Sequence, residues 1–329
     1  ELKFLGDRIS LDFTYYQTRS ENQILNVPLT ITSAYNSRII NAGLIENKGI
    51  EAMLNIIPIQ TDNGFEWSMN VNFSRNRSKV LELYKDAESE QEINNYVMAD
   101  RYVTVEARVG ERMGDMYGIG YQRVTNNPED VYYDPTGQYI GEVVYNSQGK
   151  PLATPAKIKL GNYNPDWMAG IYNTVSFKGV SLGLLFDVRY GGQIYSHTQT
   201  VGREGGIIVE TLEGRADGYD LNIAGNGVIG DGVVPVRNGE GAITGYTPND
   251  TKLSAREWHS SITLGRSLIE GMMYDASFVK LREVKLGFRI PSKFTEKFAV
   301  RDVNVSFVGR NLFVWTDVPH IDPETASSN

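Results

Sequence analysis

Cysteine is absent from the 329 residues, which removes disulfides, thiolate metal sites and cysteine nucleophiles at once. Its absence also fits an oxidising compartment. Histidine is scarce: His197, His259 and His320 lie far apart, without the i,i+4 spacing of a helical metal site, and read as solvated loop residues. The run of about 18 apolar residues that a membrane-spanning helix requires does not occur. Nor is there a cationic excess. Lys and Arg total 32 against 40 Asp and Glu, a net charge of -8, and the basic residues are scattered, which excludes the patches that nucleic-acid binding needs. No Gly-x-Ser-x-Gly elbow is found. Gly225-Asn226-Gly227-Val228-Ile229-Gly230 imitates a dinucleotide fingerprint but has neither the hydrophobic strand before it nor the helix after it, so turn chemistry explains it. The oxygen donors from Asp217 to Asp231 lack an EF-hand register and read as a Gly/Asp-rich loop. These absences predict a protein that is not an enzyme, with no cofactor and no metal.

What the chain does contain is alternation. From Phe65 to Asn76 the odd positions are Phe65, Trp67, Met69, Val71, Phe73 and Arg75, and the even ones Glu66, Ser68, Asn70, Asn72, Ser74 and Asn76. Strand side chains alternate faces, so one face is oily and the other polar. Seven such segments occur: Arg8 to Tyr16, Gly49 to Ile57, Phe65 to Asn76, Asp166 to Lys178, Val180 to Tyr190, Val279 to Ile290, and a run through Val303, Val305 and Phe307. Most have roughly the length a tilted strand needs to cross a bilayer. In the sixth, the apolar phase shifts by one near Arg282-Glu283, which predicts a β-bulge. A mean hydropathy of -0.32 does not oppose a membrane wall, because alternation hides the apolar half from any average. The abundance of glycine (33) and tyrosine (19) fits tight turns and interfacial girdles.

The links between segments alternate in length. Short ones contain Asp62-Asn63-Gly64, Lys178-Gly179 and Pro291 to Asp302, where Phe294 and Phe298 suggest one helical turn. The long ones cover roughly 17–48, 77–165 and 191–278, part of each extending as strand. Transmembrane barrels sort their loops in this way, with short periplasmic turns and long external ones. The expected fold class is all-β: an antiparallel transmembrane β-barrel fragment of about seven spanning strands with long external loops. The start at Glu1 close to a spanning segment, and the polar run Ala326 to Asn329 at the other end, suggest a piece of a longer product. An arc of seven strands with two open edges is expected to aggregate when expressed alone.

Five stretches carry a likeness. Asn41-Ala42-Gly43-Leu44-Ile45-Glu46-Asn47-Lys48-Gly49-Ile50-Glu51 and Asp275-Ala276-Ser277-Phe278-Val279-Lys280-Leu281-Arg282-Glu283-Val284-Lys285-Leu286-Gly287-Phe288 are two of them. Leu160-Gly161-Asn162-Tyr163-Asn164-Pro165-Asp166, Arg189-Tyr190-Gly191-Gly192, and Gly309-Arg310-Asn311-Leu312-Phe313 followed by Ile321-Asp322-Pro323-Glu324 complete the set. In order and spacing they resemble SusC/RagA-type TonB-dependent outer-membrane transporters. The resemblance covers nearly the whole chain. It implies a plugged barrel of roughly 22 strands in the cell outer membrane, importing oligosaccharides or peptides with energy from an inner-membrane TonB complex. It further implies a SusD-like surface lipoprotein as lid. On this reading residues 1–329 are the C-terminal part of the barrel, with the plug domain, the earlier strands and the final strand absent. A passive porin or surface-adhesin barrel, and a soluble β-sandwich carbohydrate-binding module, are the alternatives.

Two sets of residues are candidates for function. Tyr117, Tyr121, Tyr133, Tyr195 and Trp258 lie on long loops, where an aromatic plane could receive a sugar ring; packing within the loops is the competing explanation. Arg8, Asp12, Glu51, Asp187 and Arg189 share polar strand faces and would point into the lumen, where they pair with one another or meet a plug.

Overall fold

A computed structural model describes residues 1–28, 37–85, 92–93, 95–100, 102–217, 220–263, 265–295 and 303–325. One sheet organises it. Its strands are β1 (Leu2–Phe4), β2 (Ile9–Pro28), β3 (Ser37–Gln60), β4 (Phe65–Glu82), β5 (Trp167–Phe177), β6 (Val180–Tyr190), β7 (Phe278–Arg289) and β8 (Asn304–Thr316). They are hydrogen-bonded in chain order and every pair is antiparallel. The seven alternating segments are the seven long strands. The expected loop over 17–48 is largely strand: β2 and β3 run 20 and 24 residues, so at ~3.3 Å per residue β3 extends for about 80 Å, far beyond a bilayer.

Turn residues set the register. At the β3–β4 hairpin Gly64 takes φ +88°, and the Phe65 N–H donates to Asn63 Oδ1 at 3.2 Å. Lys178 and Gly179 join β5 to β6 with φ +48° and +87°, the two positive angles of a two-residue hairpin that matches strand twist. A helical turn at Ser292–Thr295 begins the β7–β8 link; Phe298 lies outside the described residues. The bulge falls in β7, where Leu185 faces Glu283 and Phe186 faces Leu281, leaving Arg282 as the extra residue.

Cross-strand pairing sorts the side chains into two continuous faces. Phe13, Ala52, Phe73, Ala169 and Val188 form one row of the apolar face; Thr14, Glu51, Ser74, Met168 and Arg189 form the neighbouring row of the polar face. Among the described residues no second protein layer seals the apolar face: Phe13, Phe307 and Phe313 stay 58%, 66% and 61% exposed. The core lies elsewhere. Val124, Val144, Val233 and Tyr246 pack together in the long links, and Val80, Leu83 and Ala107 close a second cluster where the tall strands meet them. These links form a canopy at one end of the sheet. It includes a four-stranded sheet made by Asn95–Asp100, Thr104–Arg108, Asp115–Gly118 and Ile158–Asn162, and the helices α1 (His197–Gly205) and α2 (Ala255–Ser261).

Candidate functional site

The polar face carries amides as well as charges. Asn70 donates to Asn55, Asn72 donates to Asn70 Oδ1 at 3.0 Å, and Asn76 donates to Asn47 Oδ1 at 3.3 Å. The Tyr16 hydroxyl donates to Asn76 Oδ1 at 3.3 Å and extends the ladder to β2. Each amide retains further donor or acceptor capacity for a polar ligand. A hollow of about 470 Å³ is lined by Asp12, Thr14, Glu51, Asn72, Ser74 and Asp187. Three of the five charges read from the sequence thus border one space. Arg8 is apart from them at the short-turn end, donating to the carbonyls of Ile57 and Pro58 at 3.2 and 3.0 Å. Arg189 donates to the Tyr163 carbonyl at the canopy junction.

A second cleft, about 510 Å³, opens where wall and canopy meet. Tyr16, Asn47, Glu51 and Asn76 line it from the wall, and Arg112 and Tyr163 from the canopy. The stretch Leu160–Asp166 builds its upper margin. Asn162 and Asn164 both donate to the Met113 carbonyl, at 3.0 and 2.8 Å, and Asp166 pairs with Arg77 at 2.6 Å and Arg112 at 3.4 Å. Gly191 and Gly192 follow β6 with φ +75° and +82°; a Cβ on Gly192 would come within 3.0 Å of the Tyr163 carbonyl oxygen. The chain turns there so that Ala276 can donate to the Gly192 carbonyl at 3.0 Å.

The bulge assembles a cluster that sequence reasoning did not single out. Lys280, 3% exposed, contacts Asp322 and Glu324, each at 2.6 Å. Arg282 donates to Asp187 and to Glu324, both at 2.6 Å. The segment after β8 is thereby fastened to the polar face. Arg282, and then Lys280, holds the Glu324 carboxyl down at about 2, well below the usual carboxylate range. The signal was present in Asp322-Pro323-Glu324, two acids placed to return to a strand whose bulge adds a cation.

The loop aromatics separate by burial. Tyr117 is 3% exposed and lies under the Arg108 guanidinium, 3.6 Å from its ring centroid. Tyr121 is held inside the canopy: its backbone N–H donates to Glu270 at 2.7 Å, and burial raises its phenol. The buried Tyr117 ring serves loop packing, whereas Tyr121 keeps part of its surface exposed. Tyr133, Tyr195 and Trp258 remain partly exposed. Tyr195 shares a hydrogen bond with Thr200 at 2.9 Å and borders Tyr102, whose ring stacks on His197 at 4.0 Å. The histidines are not uniformly solvated, which corrects the sequence expectation. His259 is 1% exposed on α2, with Nδ1 3.2 Å from Arg203, because its helix packs that face against α1. Burial, then Arg203 and Arg215, lowers it to about 4. His320 is exposed and meets Glu210 at 3.1 Å.

No family model matches the chain. TonB-dependent receptor P3 of Formosa agariphila is 25% identical to it over 340 residues, covering 100% of this chain and 30% of the relative. Over its whole length the chain is similar to TonB-dependent receptors. TonB-dependent receptor P26 of the same organism is 24% identical, over 98% of the chain and 30% of its own length. Among solved structures, the RagAB peptide transporter superposes with a TM-score of 0.61 at 17% identity, covering 98% of this chain and 32% of that one. The RagAB peptide importer in its closed-closed state gives 0.64 at 18% identity, with the same coverages. The SusC/RagA-type resemblance is borne out over the chain as a whole. The TonB-dependent relatives are longer: the chain spans about 30% of the length of the curated receptors it matches.

Proposed function

We propose that this sheet is one arc of a closed outer-membrane barrel, and that the whole protein is an active importer. The observation that carries the reading is the pair of continuous faces over seven long strands, with every short turn at one end and the canopy at the other. An apolar face of bilayer-crossing length suits acyl chains, and its amide-lined reverse suits a wet lumen. Residues 1–329 would be the C-terminal part of the barrel, with a plug domain and further strands elsewhere in the full-length receptor. No covalent chemistry is assigned to it.

The cargo is an oligosaccharide or a peptide. Asn47, Asn72 and Asn76 can bond sugar hydroxyls and peptide amides alike. Cargo would pass the cleft between Tyr16 and Arg112, with the lumen charges Asp12, Glu51, Asp187 and Arg189 beside it and Tyr133, Tyr195 and Trp258 available on the canopy. A SusD-like surface lipoprotein would cover the canopy, and a TonB complex would supply the energy through the plug. The test is uptake of labelled oligosaccharide and peptide pools by cells expressing the full receptor, with and without TonB. Uptake that depends on TonB supports the proposal. Uptake unchanged without TonB would make the barrel a passive pore, and recovery of the receptor in the soluble fraction would refute the membrane arc.

A further inference from the structure

The apolar face ends abruptly, and what succeeds it is basic. At its upper margin Tyr15 faces Ile50, Ile50 faces Arg75, and Trp167 faces Tyr190; Met168 pairs with Ser74, so Trp167 lies level with Arg75. Trp167 stacks on Tyr190 at 5.2 Å. This row is an aromatic girdle with an arginine set in it. The next two rows of the same face read Gln17, Lys48, Arg77 and Arg19, Glu46, Lys79. Glu46 pairs with Arg19 at 3.3 Å and Lys48 at 2.8 Å, and Asp166 with Arg77. Arg75 and Lys79 are exposed and have no carboxylate within ion-pair distance among the described residues. The row above turns acidic, with Glu21 and Glu82 both facing Leu44. Five cations with two acids therefore occupy a band three rows deep: Arg75 in the girdle row, then Lys48 and Arg77, then Arg19 and Lys79.

From Phe65 to Phe73 the apolar stretch has the length a tilted strand uses to cross hydrocarbon, so Arg75 to Lys79 emerge at headgroup depth. We propose that Arg75 and Lys79, flanked by Arg19, Lys48 and Arg77, bind the phosphate of an anionic outer-leaflet lipid headgroup. A guanidinium grips phosphate oxygens in pairs, and the ammonium adds a point charge. The girdle rings below would receive the first acyl carbons. The inference rests on the membrane reading above.

The full-length receptor in uncharged detergent is titrated with phosphatidic acid, or with phosphatidylcholine, and adducts are counted by native mass spectrometry. Phosphatidic acid should bind preferentially. Arg75→Gln with Lys79→Gln should weaken it roughly tenfold or more, from the loss of two interfacial cations. Arg75→Lys with Lys79→Arg should retain binding, which separates charge from misfolding. Inorganic phosphate at the same concentration should not displace the lipid. Equal adducts with both lipids, binding unchanged in the glutamine variant, or displacement by free phosphate would overturn the site. In each of these cases the receptor still fractionates with membranes; a receptor recovered without any membrane association would instead overturn the membrane reading and this inference with it.

Discussion

Phe307 in the wall is 66% exposed, while Val144 in the canopy has no exposed surface at all. Both are apolar residues in extended backbone, yet only the second is covered by other parts of the protein. The wall gains little from burying side chains against protein. Of the buried apolar residues described, only Val80 and Phe278 lie in the eight strands, both at the canopy end. Its order comes from interstrand hydrogen bonds and, on the membrane reading proposed above, from lipid. The canopy is assembled as a water-soluble domain is, around Val124, Val144, Val233 and Tyr246. One chain therefore follows two packing rules, and the regions should respond differently to the same kind of substitution.

The largest expected effect is in the canopy. Leu268 is fully buried, and Leu268→Ala should cost about 2–5 kcal/mol through lost transfer energy and a residual cavity. Hydrogen exchange should show canopy amides losing protection while β5 and β6 keep theirs. Loss spreading into those strands would show that the two regions unfold as one. Next comes Met69→Arg, midway along the apolar stretch of β4, which should cost about 2–4 kcal/mol of folding in bilayers by urea titration. The matching change on the canopy, Ile207→Arg at a residue 79% exposed, should stay within about 0.5 kcal/mol. Equal effects at the two positions would remove the distinction between lipid-facing and water-facing apolar surface.

A pH scan sharpens the contrast. His259 is held neutral in the fold at about 4, against an ordinary value of 6.5, by burial and by Arg203 and Arg215. The unfolded canopy therefore binds more protons below neutrality. Canopy stability should be full above about pH 6.5 and decline as pH falls towards 4, on the order of 2 kcal/mol by pH 5. Exchange rates of canopy amides measured at pH 7.5 and 5 check this, and His259→Phe should flatten the difference. A wild-type canopy equally protected at both values would show that the imidazole is solvated after all.

Much of the wall was legible because its signal is local. Alternation in Phe65–Phe73 and Val180–Tyr190 needs no knowledge of neighbours, since period two is a property of the strand itself. Lys178-Gly179 and the phase shift at Arg282 were equally local. The canopy was opaque for the opposite reason. Val124 meets Val233 across more than a hundred residues, and nothing near either marks the other. Tyr117 is 3% exposed although its place in a long link suggested exposure, because these links cover some of their own aromatics. His259 misled in the same way: its burial comes from the pairing of α1 with α2, not from residues beside it. The junction lay between these extremes. Leu160–Asp166 and Arg189–Gly192 were visible as stretches, but not that they fasten canopy to wall.

The smallest effect tests that fastening. Glu324 lies between Arg282 and Lys280, and its carboxyl, held down at about 2, contributes fully above about pH 4.5 and progressively less as pH falls towards 2. Because its side chain is 47% exposed, water screens the pairs, and Glu324→Gln should cost about 1 kcal/mol or less. Lys280 keeps Asp322 at 2.6 Å, so the buried ammonium is not left alone. The Glu324 amide, which donates to Asp322 Oδ1 at 3.0 Å, should exchange a few-fold faster, with β7 and β8 unaffected. Should β7 loosen as well, the cluster would belong to the wall: Arg282 would then be holding its own bulge in place through Glu324, and the segment after β8 would be part of the barrel's polar lining instead of a strap laid across it.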